Sequence, residues 1–148
     1  MSPALARRIA RTALVLLHFG VALSAVASGI IIVIASLWPD TIGGFGLPPE
    51  FLDGSPFVSY LVPGIVLLLI VGGTHVAAFL GQLRAARYAA FLSSVAAFGM
   101  LIWIFVQMIF IPYSFLQAVF FVAGLAEAGF VLLQLGVLTP QPARSRMG

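Results

Sequence analysis

The sequence predicts an all-α membrane protein, a transmembrane four-helix bundle running up-down-up-down with both termini on the inner side. Three observations predict it. Of 148 residues, 62% are hydrophobic and only 7% are charged, where a soluble domain carries about 25% charge. The apolar residues gather in four long runs free of Arg and Lys, and mean hydropathy is +1.19. The seven arginines all flank those runs. With so few charges a soluble fold could not cover its surface, so lipid is the expected outer solvent.

The runs cover residues 12–37, 57–81, 88–111 and 116–138. At about 1.5 Å per residue each can cross a hydrocarbon core of about 30 Å. The second and third are joined by Gln82–Arg87, and the third and fourth by Pro112–Phe115. Links this short make sequential helices antiparallel neighbours. The first link, residues 38–56, reads WPDTIGGFGLPPEFLDGSP. Its Gly and Pro content predicts a turn-rich external loop. Phe45, Leu47, Phe51 and Leu52 are placed to fold back onto the membrane. Residues 139–148 read as a mobile tail, and residues 1–148 as a single membrane domain.

Charge placement sets the orientation. Arg7, Arg8 and Arg11 precede the first run, Arg84 and Arg87 lie in the second link, and Arg144 and Arg146 lie in the tail. The other two links hold no basic residue, and the first holds Asp40, Glu50 and Asp53. The positive-inside rule then puts both termini in the cytoplasm. A cleaved leader would use Arg7–Arg11 as its basic region and Ala25-Val26-Ala27 as its cleavage site. The apolar run continues past that site to Leu37, which predicts a retained span.

The stretches FLDGSPFVSYLVPGIVLLLIVGGTHVAAFL and WIFVQMIFIPYSFLQAVFF resemble a group of small bacterial four-span membrane proteins of unassigned function. The resemblance covers roughly residues 48 to 125. It implies a multi-pass protein of the bacterial cytoplasmic membrane and carries no activity or ligand.

Ionisable groups inside spans are costly and become functional candidates for that reason. There are three: His18, His75 and Glu127. Glu127 lies eleven residues before Leu138, so about 16 Å deep. His18 and His75 lie about 10 and 13 Å from the inner boundary at the same rise, on faces rich in Ala and Gly. Gln134 falls in the same half. A cluster of His18, His75 and Gln134 is expected, with Glu127 a turn or two deeper. Gln107, Gln117 and Thr74 are secondary polar positions. Trp38, Trp103, Tyr60 and Tyr113 read as outer aromatic anchors, and Tyr88 as an inner one.

Small residues step by four at Gly20–Ser24–Ser28, Ser93–Ala97 and Gly124–Ala128, the spacing that lets helices approach closely within a bundle or a dimer. Pro63, beside Gly64, is expected to bend the second span.

No cysteine is present, which removes thiolate metal sites and disulfide chemistry from this chain. No nucleophile elbow, phosphate loop or HExxH motif occurs, so no enzyme activity is expected. No basic face is interleaved with aromatics, so no nucleic-acid partner is expected. The expected partners are the lipid bilayer and other membrane subunits or further copies of the chain. The first functional expectation is a non-enzymatic accessory subunit, or a binder of lipid or another apolar ligand. One alternative is a proton-coupled transporter using Glu127 in an oligomer. The other is a haem b redox protein with His18 and His75 as ligands. No cofactor or metal is expected beyond that alternative.

Overall fold

The computed structural model describes residues 2–38 and 47–137. Asp40, Phe45, Arg144 and Arg146, and with them the expected tail, lie outside the described residues. Within them the chain is helical and contains four helices long and apolar enough to cross a membrane: α1 (Pro3–Leu37), α2 (Leu61–Leu83), α3 (Ala89–Phe110) and α4 (Phe115–Leu135). Each matches an expected run, with shifted ends.

The largest shift is in α1, which begins nine residues before the apolar run. Ser2 caps it, accepting a hydrogen bond from the Leu5 amide at 3.3 Å, and Pro3 stands at its first position, where a missing N–H costs nothing. Its 35 residues make it about 53 Å long. That exceeds a hydrocarbon thickness of about 30 Å. The link after α1 contains a short 3₁₀ turn at Pro49–Leu52.

Helix α2 starts at Leu61, four residues later than expected. Pro63 therefore sits in the first turn, where proline is tolerated, and does not interrupt the helix interior. The irregularity lies further on, where Leu67–Gly72 is π-helical. This wider turn faces α1 at close range. A Cβ on Gly29 would stand 2.8 Å from Leu68 Cβ and 2.9 Å from Leu68 Cα. Only glycine lets the two backbones approach so closely.

The turn from α2 to α3 is tight. Ala86 N–H bonds the Gly81 carbonyl at 3.0 Å and Ala85 N–H bonds the Gln82 carbonyl at 3.2 Å. This is a Schellman ending with Ala85, at φ 49°, in the left-handed position where glycine is usual. Helix α4 ends the same way on Gly136, at φ 76°. It begins with a capping box between Ser114 and Gln117.

The faces turned inward are lined by small residues. Ala6, Ala10, Ala22, Ala25 and Gly29 of α1 are buried, as are Ala78 and Gly81 of α2 and Ala89, Ala96 and Ala97 of α3. Gly124 of α4 packs against Leu101. The Gly20–Ser24–Ser28 stripe takes no part in this core: Gly20 and Ser28 are exposed, and a Cβ on Gly20 would meet nothing within 4 Å. An apolar cluster of Val21, Ala25, Val71, Met100 and Ile104 fills the middle. Phe19, Leu23, Phe91, Phe98, Ile102 and Phe105 face outward, as an apolar solvent allows.

Candidate functional site: a buried His–Glu–His centre

Three of the four helices repeat a polar residue after seven positions, about two turns, which keeps both on one face. The pairs are Arg11 and His18 on α1, His75 and Gln82 on α2, and Glu127 and Gln134 on α4. They assemble into two polar layers, with Ser93 of α3 between them.

The first layer is the centre itself. Glu127 lies between the two imidazoles, its Oε1 3.1 Å from His18 Nδ1 and its Oε2 3.2 Å from His75 Nε2. The imidazoles meet edge to face with centroids 5.5 Å apart. All three residues are 0% exposed. Each imidazole is held from behind. His75 Nδ1 bonds the Val71 carbonyl at 2.7 Å, and His18 Nε2 bonds Ser93 Oγ at 2.9 Å.

The second layer continues from Ser93. Gln82 Nε2 donates to Ser93 Oγ at 2.9 Å. The Gln82 and Gln134 amides then pair reciprocally, at 2.9 and 3.0 Å. Arg11 closes the end of α2, its guanidinium donating to the Gln82 carbonyl at 3.0 Å and the Leu83 carbonyl at 3.1 Å. A cation there adds a donor to the last carbonyls of the helix and suits the dipole. Among the described residues, no buried side-chain nitrogen or oxygen lacks a partner.

One assignment of hydrogens satisfies every contact of the network. The Val71 carbonyl can only accept, so His75 Nδ1 carries a hydrogen. Ser93 accepts from Gln82 and can donate its hydroxyl hydrogen to His18 Nε2, leaving His18 Nδ1–H to donate to Glu127 Oε1. The last contact, His75 Nε2 to Glu127 Oε2, then holds one proton. On nitrogen it makes an imidazolium–carboxylate pair, and on oxygen a neutral acid beside a neutral imidazole. The centre has zero net charge in either case, which suits a site withdrawn from water.

The expected His18, His75 and Glu127 thus come together, with Glu127 level with the imidazoles and not a turn or two deeper. Gln134 is one layer away and touches Gln82, not the histidines. Gln82 and Ser93 were missed as polar members. Gln82 ended the apolar run and was counted into the link, yet it is 0% exposed in the last turn of α2. Its position seven residues after His75 was the available signal. The secondary residues stay outside the centre. Thr74 Oγ1 bonds back to the carbonyls of Ile70 and Val71, and Gln117 serves the α4 cap.

The residues do not fit haem. A macrocycle between two axial imidazoles needs each to present a nitrogen to iron, whereas the facing nitrogens here both address a carboxylate. Nor is there room beside His75 at Gly72, where a Cβ would lie 2.9 Å from Val26 Cγ2 of α1.

A second feature lies between α2, α3 and the first link. It is a pocket of about 290 Å³ whose walls include Leu52, Tyr60, Leu67, Ile70, Gly99, Ile102, Trp103 and Gln107. Gln107, Ser55 and the Tyr60 hydroxyl are polar groups in an otherwise hydrocarbon lining. Tyr60 donates to the Pro48 carbonyl at 2.5 Å, tying the link to the start of α2. Leu47, Phe51 and Leu52, expected on the membrane surface, line this pocket.

No family model, no curated protein and no solved structure matches the chain.

Proposed function

We propose that the chain is a small multi-pass protein of the bacterial cytoplasmic membrane that performs no catalysis and holds a lipid chain or another apolar ligand, alone or as an accessory subunit. The carrying observation is the apolar pocket. Its volume of about 290 Å³ lies at the small end of ligand sites, which run from about 300 to 1,000 Å³. That suits one acyl chain or a compact apolar molecule.

The up-down-up-down course with both termini inside is part of this reading. Arg11 reaches the carbonyls of Gln82 and Leu83, which supports the first arginine group and the Arg84–Arg87 turn sharing one end. Glu50 and Asp53 belong to the other link. Basic inside and acidic outside is the usual bias.

Position 99 offers the test. A Cβ on Gly99 would meet nothing within 4 Å, and the residue lines the pocket. Gly99→Leu should fill the pocket and leave the helices in place. Native mass spectrometry of the purified protein should show a bound lipid or apolar adduct on the unmodified chain and on a Gly129→Leu control, and none on Gly99→Leu. Equal adducts on all three would sink the proposal.

Proton-coupled transport through Glu127 is a second reading, favoured by the single proton shared with His75. It requires water to reach Glu127, which is 0% exposed. That sealing supports the first reading over the second.

A further inference from the structure

We propose that His18, His75 and Glu127 form a site for one divalent first-row transition ion of the zinc or cobalt kind. The inference is independent of the apolar pocket and of what fills it.

Two features carry it. The first is the donor set. One ligand atom each from His18, His75 and Glu127 lie within 4.8 Å of one another. Two imidazole nitrogens and a carboxylate oxygen suit zinc, cobalt and iron(II), and discriminate against calcium and magnesium, which prefer all-oxygen shells. Bonds of about 2.1 Å at tetrahedral angles put ligand atoms about 3.4 Å apart, so binding would draw atoms now within 4.8 Å of one another inward by up to about 1.4 Å.

The second feature is what stands behind the ligands. Metal-bound imidazoles characteristically use their other nitrogen to donate to a carbonyl, carboxylate or similar acceptor, which fixes tautomer and direction. Both do so here. His75 Nδ1 is on the Val71 carbonyl and His18 Nε2 is on Ser93 Oγ. Ser93 is itself pinned by Gln82, and Gln82 by Gln134. Two shells of support converge on the nitrogens that face Glu127.

The proton balance of binding follows from these contacts and the tautomers assigned above. The metal-free centre holds three hydrogens: one on each imidazole and one on the line from His75 to Glu127. With the ion bound, His75 keeps Nδ1–H on Val71. His18 changes tautomer and donates Nε2–H to Ser93, whose two lone pairs accept from His18 and Gln82 while its hydroxyl hydrogen turns from His18 to a backbone carbonyl of its own helix. His18 Nδ1, His75 Nε2 and the Glu127 carboxylate then all present lone pairs to the ion. Two hydrogens remain, so one proton leaves for each ion bound. The dication with one carboxylate carries a net +1. The three-residue shell leaves a further coordination position for water or another small donor.

Because the centre is sealed, the ion should be supplied during synthesis. The test is expression of the full chain, with an affinity tag free of histidine, in medium supplemented with cobalt or zinc. Metal content and visible absorption are then measured. The expected result is one ion per chain and, with cobalt, the ligand-field bands of a low-coordinate N,O site. Glu127→Gln keeps the hydrogen-bonding shape but removes the anionic ligand, and should lose the ion. Ser93→Ala keeps all three ligands and should hold the ion about 10- to 100-fold more weakly against a chelator. A wild-type chain with no more metal than Glu127→Gln, or with cobalt lacking those bands, overturns the proposal. Should Glu127→Gln fail to fold, the wild-type stoichiometry and spectrum decide alone, and a metal-free wild type overturns it.

Discussion

Glu127 and His75 face each other across 3.2 Å, Oε2 to Nε2, with neither side chain touching solvent. The two residues are 52 positions apart in sequence, and one proton between them satisfies both atoms. Most of the bundle's chemistry follows from that contact and from its mirror on His18.

Replacing Glu127 separates charge from hydrogen bonding. A glutamine can accept from His18 Nδ1–H and donate its amide hydrogen to His75 Nε2, reproducing every bond of the neutral state. Glu127→Gln should therefore cost under about 1 kcal/mol, within the range of single hydrogen bonds in membrane bundles. Glu127→Ala strands two buried imidazoles and should cost about 3–5 kcal/mol. Unfolding in mixed micelles, followed by circular dichroism, would measure both. Equal losses would mean that the ionised carboxylate is required.

The reciprocal amide pair predicts strong coupling. Gln82→Leu removes partners from Gln134 and Ser93 together, and should cost about 1–3 kcal/mol. The double variant Gln82→Leu/Gln134→Leu should cost less than the two single losses added. A double-mutant cycle gives the coupling directly. Strict additivity would show that the amides do not depend on each other.

Ala85 occupies a left-handed position at φ 49°, where a side chain is strained. Ala85→Gly should raise stability by about 1 kcal/mol, seen as a higher midpoint in the same unfolding assay. A neutral or lower midpoint would indicate that the turn relaxes around alanine.

Two glycines should respond oppositely to alanine. Gly29→Ala would drive a methyl onto the backbone of Leu68 and should cost about 1–3 kcal/mol. Gly99→Ala meets open space and should gain up to about 1 kcal/mol from helix propensity. Thermal melts of the pair would measure both, and equal midpoints would argue against a tight approach of α1 to α2.

Tyr60 gives a pH signature outside the spans. Burial first, and the Glu50 charge second, raise its pKa above the ordinary value. A raised pKa means that the folded state favours the neutral phenol. The associated stability is complete below about pH 10 and is lost as pH rises through the folded value. Tyr60→Phe should flatten the alkaline decline of stability, and an unchanged profile would assign that decline to other groups.

The four helices were legible because hydropathy alone separates them from their links. Their ends were not. Helix α1 begins at Pro3 because Ser2 can cap it, a local hydrogen bond that hydropathy does not register. Leu61 starts α2 after a run that is already apolar at Phe57, so composition could not mark the start.

At the centre, His18, His75 and Glu127 stood out through the cost of a titratable group in lipid. Depth counted from span ends misplaced Glu127, because the true end of α4 is Leu135, three residues before the assumed one. Gln82 and Ser93 were harder to see. An amide at the edge of a run reads as a link residue, and a lone serine reads as a small packing residue. Only the two-turn repeat shared by α1, α2 and α4 marks Gln82, and it becomes persuasive once the three repeats are superposed in space.

The derivation of the centre from α1, α2 and α4 has a consequence for biosynthesis. Chains are made from the N-terminus, so both histidines enter the membrane before their shared carboxylate exists. Until α4 arrives, the partial bundle of α1, α2 and α3 carries two imidazoles without the acid that joins them. The last helix is thus the keystone, and its insertion converts an unfinished assembly with an open polar seam into a closed one. A chain halted before Glu127 would keep that seam, a polar mark by which a membrane quality-control protease could tell unfinished molecules from finished ones.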